Sequence, residues 1–517
     1  MTRRFFLGGA AAFGAFGAPR LFAAPGLLPS GHPTLKFGVV SDVHIRYDDK
    51  TGKCEKGYGS NALFRKTLMW FRDRGVDAVV IAGDMADFGL VEELEAVAAA
   101  WYDVFPNDRY PDGRPVEKVF VYGNHDFHGF LYGSEPKKKH PDPEDFRRHV
   151  LRSDLKGNWE RIFHEEYRRV YAKTIKGYTF IGQHWDDGSG MEGRYGWTGP
   201  LGDRLTACLK GLGSSLDPKK PFFYVQHPHP KDTCYGDWAW GHDGGDVTRV
   251  LSAYPNAIAF SGHSHYSLTD ERSVWQGAFT SVGTSSLRYT GMPYDERKPA
   301  GYENTTTEGT DAWRYNAVKF SPLYNKNDCA QGMLWSVYED CAVVRRREFN
   351  SGLDLGPDWV LPLPAVEAKP FAFTERAKKI GAPRFAEGAR LEVVREKMKR
   401  RGGKSKDGKE SIGADEKDVL KIVAPAAIAD PMARAYEYEF AVEGKDGARV
   451  TKFVMAEGFN HAPQHRRASG STFCAFALED LPKGKLRVVV TPMNCFHMSG
   501  RPLIAQDCAP DGIQARP

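Results

Sequence analysis

The sequence predicts an α/β protein followed by a smaller all-β unit. Three observations carry this. Short apolar runs alternate with stretches of helical spacing through the first half of the chain. Strict apolar–polar alternation replaces that pattern from Tyr436 onward. Asp, His and Asn residues recur where the apolar runs of the first half stop. Strand-helix alternation builds a sheet with helices on its faces, and ligands gather at the carboxyl ends of its strands.

The elements follow in order. Residues 35–40 form an apolar strand delivering Asp42 and His44. Residues 61–74 have helical spacing, with Leu63, Leu68, Trp70 and Phe71 as apolar positions. Residues 76–82 are a second strand ending in Gly83-Asp84, and 90–102, rich in Ala and Glu, a helix. Residues 118–122 are a third strand ending in Gly123-Asn124-His125. The polar segment 135–149, with Lys137, Lys138 and Lys139 in a row, reads as a solvated surface rather than a loop over a site mouth. Further strands are expected at 176–184, at 221–226 before His227, at 257–261 before Gly262-His263, and at 280–286. This half closes near residue 350, and Leu361-Pro362-Leu363-Pro364 reads as a linker. The basic segment 395–409 reads as a solvated loop. Alternating strands at 435–442, 449–455, 472–478 and 486–491, separated by Gly/Asp/Lys turns, indicate a small β-sandwich.

At 517 residues the chain can hold two domains or so, and 41% hydrophobic and 26% charged residues are ordinary for a globular protein. A net charge of +5 with no basic stripe argues against binding a nucleic-acid duplex. The first residues differ from the rest. Arg3-Arg4 precede a Gly/Ala/Phe stretch, with small residues at Ala23 and Ala24, as in a twin-arginine export signal over residues 1–24. The stretch is too short and Gly-rich to span a bilayer, and no other segment suffices, so the mature protein is expected to be exported without a membrane span. The eight cysteines include no C-x-x-C pair; disulfides and free thiols both remain open.

The strand-end residues read as Asp42-x-His44, Gly83-Asp84, Gly123-Asn124-His125-Asp126, His227 and Gly262-His263-Ser264-His265. Two divalent metals need a bridging carboxylate and two sets of N/O ligands. Asp84 is the natural bridge, alone after a glycine that lets the backbone come close. Asp42 and His44, two apart on extended chain, share a side; a bend would send His263 and His265 to different metals. Asn124 offers an amide oxygen. His227 ends its strand directly and is preferred to His229. Imidazole and oxygen without thiolate favour Fe, Mn or Zn at a catalytic centre. His125 is placed to protonate a leaving alkoxide, with Asp126 orienting its ring. His128 and His242 read as packing or surface residues. Tyr235, Trp238, Trp240, Trp185 and Trp197 are candidates to stack on a substrate or to pin their own loops; Arg194, Arg288 and Lys231 are candidate phosphate contacts.

This set resembles the calcineurin-like metallophosphoesterase superfamily, whose pattern is D-x-H, G-D, G-N-H-[DE], H and G-H-x-H. Every element is present in order across residues 35–290. The resemblance implies a four-layer α/β/β/α sandwich with Asp42, His44, Asp84 and His265 on one metal and Asp84, Asn124, His227 and His263 on the other. It implies His125 as acid or transition-state stabiliser. Gly83-Asp84-Met85-Ala86-Asp87 also fits a G-D-x-x-D variant, found in the cyclic-nucleotide phosphodiesterase-like and protein-phosphatase-like branches. The purple acid phosphatase branch expects a Tyr after Gly-Asp and lacks the His of D-x-H; here Phe88 and His44 depart from it.

The expected organisation is therefore a signal at 1–24, a phosphoesterase domain at 34–350 and a β-sandwich at 365–510, with an interaction or structural role. The expected function is two-metal hydrolysis of a phosphomonoester or phosphodiester, metal-bound hydroxide attacking phosphorus of a small organic phosphate or nucleotide. The alternative is a surface binding protein with a vestigial phosphoesterase domain and a glycan- or protein-binding sandwich.

Overall fold

The computed structural model describes residues 31–47, 61–185, 201–236, 239–291, 301–304, 329–364, 368–400, 414–430, 433–456, 458–461 and 470–508, together with 29, 320, 403–404 and 411–412. The expected signal at 1–24 lies outside them, as do Cys54, Arg194, Trp197 and Trp238.

Two mixed sheets face each other. One comprises β1 (Leu35–Val40), β2 (Ala78–Ala82), β3 (Glu117–Val121), β10 (Gln331–Val337), β11 (Cys341–Glu348), β12 (Leu353–Asp354) and β13 (Trp359–Pro362). Its order is β12-β11-β10-β1-β2-β3, with β13 paired to β11. The other comprises β4 (Val170–Ile175), β5 (Tyr178–Gln183), β6 (Phe222–Val225), β7 (Ala257–Ser261), β8 (Val274–Gln276) and β9 (Thr280–Gly283), ordered β4-β5-β6-β7-β9-β8. The β1–β2–β3 and β5–β6–β7–β9 pairings are parallel, so their carboxyl ends share an edge.

Parallel strands covered on both faces need continuous apolar runs, and the buried Ala78-Val79-Val80-Ile81-Ala82 of β2 is one. Phe37 fills the space between the sheets, with Phe180, Phe223, Phe260 and Trp335 at 5.3, 4.9, 5.8 and 5.8 Å between ring centroids. Helices α1 (Asn61–Arg72), α2 (Val91–Val104) and α6 (Leu155–Phe163) cover the outer face of the first sheet through Phe64, Leu68, Leu94, Trp101 and Trp159. Helices α7 (Leu201–Leu212) and α8 (Asp246–Leu251) cover the second through Leu205, Leu209 and Val247. The four layers α/β/β/α are in place.

The C-terminal part is β-rich. Strands β14 (Glu392–Arg400), β17 (Asp415–Pro425) and β20 (Ser471–Ala477) form one sheet. Strands β18 (Ala435–Gly444), β19 (Arg449–Met455), β21 (Leu486–Asn494) and β22 (Leu503–Cys508) form another, ordered β19-β18-β21-β22. Their inner faces share a core of Leu420, Ile422, Phe440, Val442, Phe476, Val488 and Val490. A short hairpin of β15 (Gly403–Lys404) and β16 (Ser411–Ile412) leaves this unit.

Two readings are corrected and a third gains detail. The segment 361–364 is not simply a linker: Leu361 and Pro362 close β13, whose Trp359, Val360 and Leu361 are buried. The basic segment begins as strand β14, not loop, because its charges meet those of β17: Arg400 binds Asp415 through two bonds of 2.7 Å, and Lys421 pairs with Glu396 at 2.9 Å. The polar segment 135–149 is largely exposed, as a solvated surface is, and forms two short helices, α4 (Glu135–Lys139) and α5 (Pro143–His149), the latter capped by the Asp142 carboxylate accepting from the Glu144 and Asp145 amides. Helix α9 (Phe373–Lys379) joins the two parts. Among the described residues no disulfide is formed, and no helix is long and apolar enough to cross a membrane.

Candidate metal centre

Each sequence-predicted ligand sits just past the carboxyl end of β1, β2, β3, β6 or β7, and short backbone bonds tie these ends together. The Asp42 amide donates to Gly83 O at 3.0 Å, the His44 amide to Asp84 O at 3.0 Å, and the Gly262 amide to His227 O at 2.9 Å. Asp42, His44, Asp84, His263 and His265 all adopt positive φ, between 46° and 69°. Non-glycine residues rarely accept this conformation, and it concentrates where geometry is functional. Here it turns five side chains off their strands into one space.

The side chains meet in two groups. Asp42, His44 and His265 form one: His265 Nε2 lies 2.9 Å from Asp42 Oδ1 and 3.2 Å from His44 Nε2. Asp84, His227 and His263 form the other: His227 Nε2 lies 3.1 Å from Asp84 Oδ2 and 3.2 Å from His263 Nδ1. Asn124 Oδ1 joins the second group, 3.0 Å from His227 Nε2. Asp84 Oδ2 is also 3.7 Å from His44 Nε2, which places Asp84 between the groups. His229 is elsewhere, bonded to Ser261 and Ser264 at 2.7 Å each, so His227 is the histidine brought to the site.

The outer ring nitrogens are committed. His44 Nδ1 donates to Asp87 Oδ1 at 3.0 Å, His227 Nδ1 to Ala82 O at 2.8 Å and His265 Nδ1 to Tyr289 O at 3.1 Å. A neutral imidazole that donates from Nδ1 turns a lone pair out at Nε2. The lone pairs of His44 and His265 would then face each other and the carboxylates, which requires a positive charge among them. Without metal, protons supply it: burial opposes the charge on His44 and His227, but Asp42, Asp87 and Asp84 outweigh it and raise both to about 9. A divalent ion held by these residues would supply it in place of those protons. Burial works against the ionised forms of Asp42 and Asp84 too, yet the neighbouring histidines hold both carboxyls below the usual range. The donor set fits two metal ions.

His125 differs from these residues. Its side chain is 25% exposed, while the ligand candidates are almost fully buried. Its Nδ1 donates to Asp87 O at 2.7 Å, and burial lowers it to about 4. Asp126 does not orient it. The Asp126 carboxylate accepts from the backbone amides of Gly123 (2.7 Å), Ala86 (2.7 Å) and Met85 (3.2 Å), and so fixes the loop bearing Asp84. Burial and the Asp84 charge raise it to about 7.

Asp87, present in the sequence as the last residue of G-D-x-x-D, joins His44, His125 and Arg288. Tyr132 and Tyr289 were not singled out: their rings pack on His125 and His265 at 4.6 and 4.2 Å. Trp240 stacks on His263 at 4.4 Å, and Trp185 lies 6.4 Å from the same ring. Tyr235 is buried and donates to Tyr266 O, so it pins its own loop. His128 packs beside Trp185, and His242 donates to Cys234 O. Lys231 is exposed, two residues after His229.

Residues 35–267 match the family model of the calcineurin-like phosphoesterase. They form a calcineurin-like phosphoesterase domain. The domain is that of a metal-dependent phosphoester hydrolase, and its metal-ligand groups suit a binuclear site. Several solved structures are similar. A dimetal phosphatase from Danio rerio is 14% identical, covering 64% of this chain and 99% of its own at a TM-score of 0.35. A purple acid phosphatase from yellow lupin is 11% identical, covering 66% and 57% at 0.37. A predicted phosphoesterase from Streptococcus pneumoniae is 12% identical, covering 63% and 97% at 0.25. No curated protein matches the chain.

Proposed function

We propose that the protein is an exported two-metal hydrolase of small phosphoesters, with Asp42, His44, Asp84 and His265 holding one ion and Asp84, Asn124, His227 and His263 the other. The observation carrying this reading is the meeting of two nitrogen-rich groups on either side of Asp84 Oδ2. When bound, the ions supply Lewis-acid polarisation of the phosphoryl group and a water of lowered pKa.

The chain's own residues do the rest. Asp87 accepts from His44 Nδ1 and fixes that ring, as carboxylates commonly do behind metal-binding histidines. His125, anchored through Nδ1 on Asp87 O, presents Nε2 to the open side of the site and acts on the leaving-group oxygen as the imidazolium, the form that the negative charge of a bound phosphoryl group favours. Its partial exposure gives it access that the ligand candidates lack. Arg288, paired with Asp87 beside this ring, is placed to offset phosphoryl charge. Tyr132, half exposed over His125, suits a flat leaving group such as an aryl ester or nucleoside.

Purified protein loaded with Mn, Fe or Zn is expected to hydrolyse p-nitrophenyl phosphate, bis-p-nitrophenyl phosphate or members of a nucleotide panel. Asp84→Asn is expected to abolish turnover while leaving the circular dichroism unchanged. Absence of turnover on all of these with no bound metal, or full activity in Asp84→Asn, overturns the reading. Export rests on Arg3-Arg4 and the stretch that follows. Replacing both arginines by Lys is expected to retain the protein in the cytoplasmic fraction; unchanged export refutes that part.

A further inference from the structure

Away from the centre, two histidines and two carboxylates meet where α5 and the residue after α4 touch the start of α2. Glu92 Oε1 lies 3.1 Å from His140 Nε2 and 3.0 Å from His149 Nδ1. The two rings stack at 3.9 Å with 16° between their planes. Behind them Asp145 Oδ2 meets His140 Nδ1 at 2.8 Å. His140 is only 6% exposed, Glu92 22% and His149 36%.

Hydrogen bonding alone does not account for this packing. His140 meets Asp145 Oδ2 through Nδ1 at 2.8 Å and Glu92 Oε1 through Nε2 at 3.1 Å, and a neutral ring can donate to only one of these two carboxylates. His149 Nδ1 is buried beside the same oxygen and makes no hydrogen bond among the described residues. Protonating both rings would stack two imidazolium ions face to face, with the Lys139 ammonium 2.8 Å from Glu92 Oε1 as well. One divalent ion resolves these conflicts. Ligand atoms about 2.0–2.1 Å from a tetrahedral ion stand about 3.3 Å apart, close to the 3.0 and 3.1 Å found here. Asp145 behind His140 is then the carboxylate that fixes a ligating imidazole.

We infer that Glu92, His140 and His149 form a third metal site, separate from the binuclear centre, for a borderline cation such as zinc, with solvent completing its coordination. Two imidazoles and one carboxylate suit that class. On binding, the ion replaces Lys139 at Glu92, and the lysine stays over the Tyr47 ring, now at 3.5 Å. The site joins α4 and α5 to α2 next to Glu93, whose carboxylate accepts from the Tyr47, Phe88 and Leu90 amides. Metal here braces the loop that carries Asp87.

The test is zinc stoichiometry on the full-length protein after chelation, reloading and desalting. Wild type is expected to hold three equivalents and His140→Gln/His149→Gln two, with p-nitrophenyl phosphate turnover retained and the zinc-dependent rise in melting temperature reduced. Should the double variant misfold, His149→Gln, at the most exposed of the three positions, is expected to weaken the third equivalent at least tenfold. Equal zinc content in wild type and either folded variant shows a hydrogen-bonded latch only and overturns the inference. Asp84→Asn separates this from the reading of the centre: it is expected to lower the inner equivalents and leave the outer one.

Discussion

A single imidazole separates chemistry from ligation at this site. Two histidines adjacent in function, His125 and His227, differ in exposure and partner, and only His125 is open to a departing group. General acids contribute about 10²–10⁴-fold, and they matter most for poor leaving groups. His125→Asn is therefore expected to slow alkyl phosphate turnover by about 10²-fold or more and p-nitrophenyl phosphate, whose phenolate leaves without a proton, far less. Equal losses on both esters would remove His125 from the acid role. Another histidine supports stability alone. His184 accepts the Tyr122 amide at 3.1 Å inside a ring of Trp159, Tyr167, Tyr122 and Tyr171, and burial lowers it from 6.5 to about 3. Between those values the unfolded chain takes up a proton that the folded one refuses, so stability falls as pH falls from 6.5 toward 3. Denaturant unfolding of chelated protein at pH 7 and pH 5 is expected to show wild type losing about 2 kcal/mol more than His184→Gln over that interval. A parallel pH dependence in the two proteins would contradict this.

At the level of elements, the strand ends were legible in the sequence because each apolar run stops on a residue that cannot stay in a core uncompensated. Asp84 after Gly83 and His263 after Gly262 announce themselves in that way. The backbone that aims them was not legible, since positive φ at Asp42 or His265 leaves no mark on composition. Strand β4 was missed because it alternates half-buried and exposed residues around Lys173 and carries no apolar run. Asp126 was misread because adjacency to His125 in sequence does not give adjacency of side chains on a helical turn, where neighbours diverge. The glycines before the ligands allow a test of the packing. A Cβ on Gly262 would collide with Ser41 Oγ and Asp42 Oδ2. Gly262→Ala is expected to cost about 1–3 kcal/mol and to lower metal content by displacing Asp42. Gly211→Ala on α7, where the added carbon meets nothing within 4 Å, is the control; it is expected to be neutral or stabilising by up to about 1 kcal/mol. Metal analysis and melting of the two variants decide it, and full metal content in Gly262→Ala would show that Asp42 tolerates the shift.

For the whole molecule, the question is whether the β-rich part folds with the phosphoesterase domain or merely follows it. The sequence suggested two bodies joined by a proline-containing linker, and nothing in its patterning shows how they meet, because the contact is made by isolated polar residues. Arg272 is buried and grips Asp270 through two bonds, of 3.0 and 2.7 Å. It also reaches His497 Nε2 at 3.1 Å and lies over the Tyr436 ring at 5.0 Å, and both of these belong to the β-rich part. Gln331 at the start of β10 donates to Asn460 O at 2.8 Å, and Arg434 reaches the carbonyls of Leu355, Phe459 and His461. Separating the parts would take His497 and Tyr436 from Arg272, Asn460 O from Gln331 and Leu355 O from Arg434, at about 0.5–1.5 kcal/mol for each hydrogen bond lost. The two parts should then unfold together, in one calorimetric transition. Removing a single charge from the junction tests this. Arg272→Leu leaves Asp270 buried without its cation, a loss of about 3–5 kcal/mol for a broken buried pair, and it also removes the ring contact to Tyr436. The variant is expected to melt in two steps, the β-rich part at the lower temperature, while metal content at the centre stays at the wild-type value. His497→Ala, which takes away one partner and leaves the Asp270 fork intact, is expected to keep a single transition. Two transitions already present in wild type would show that the junction does not couple the parts.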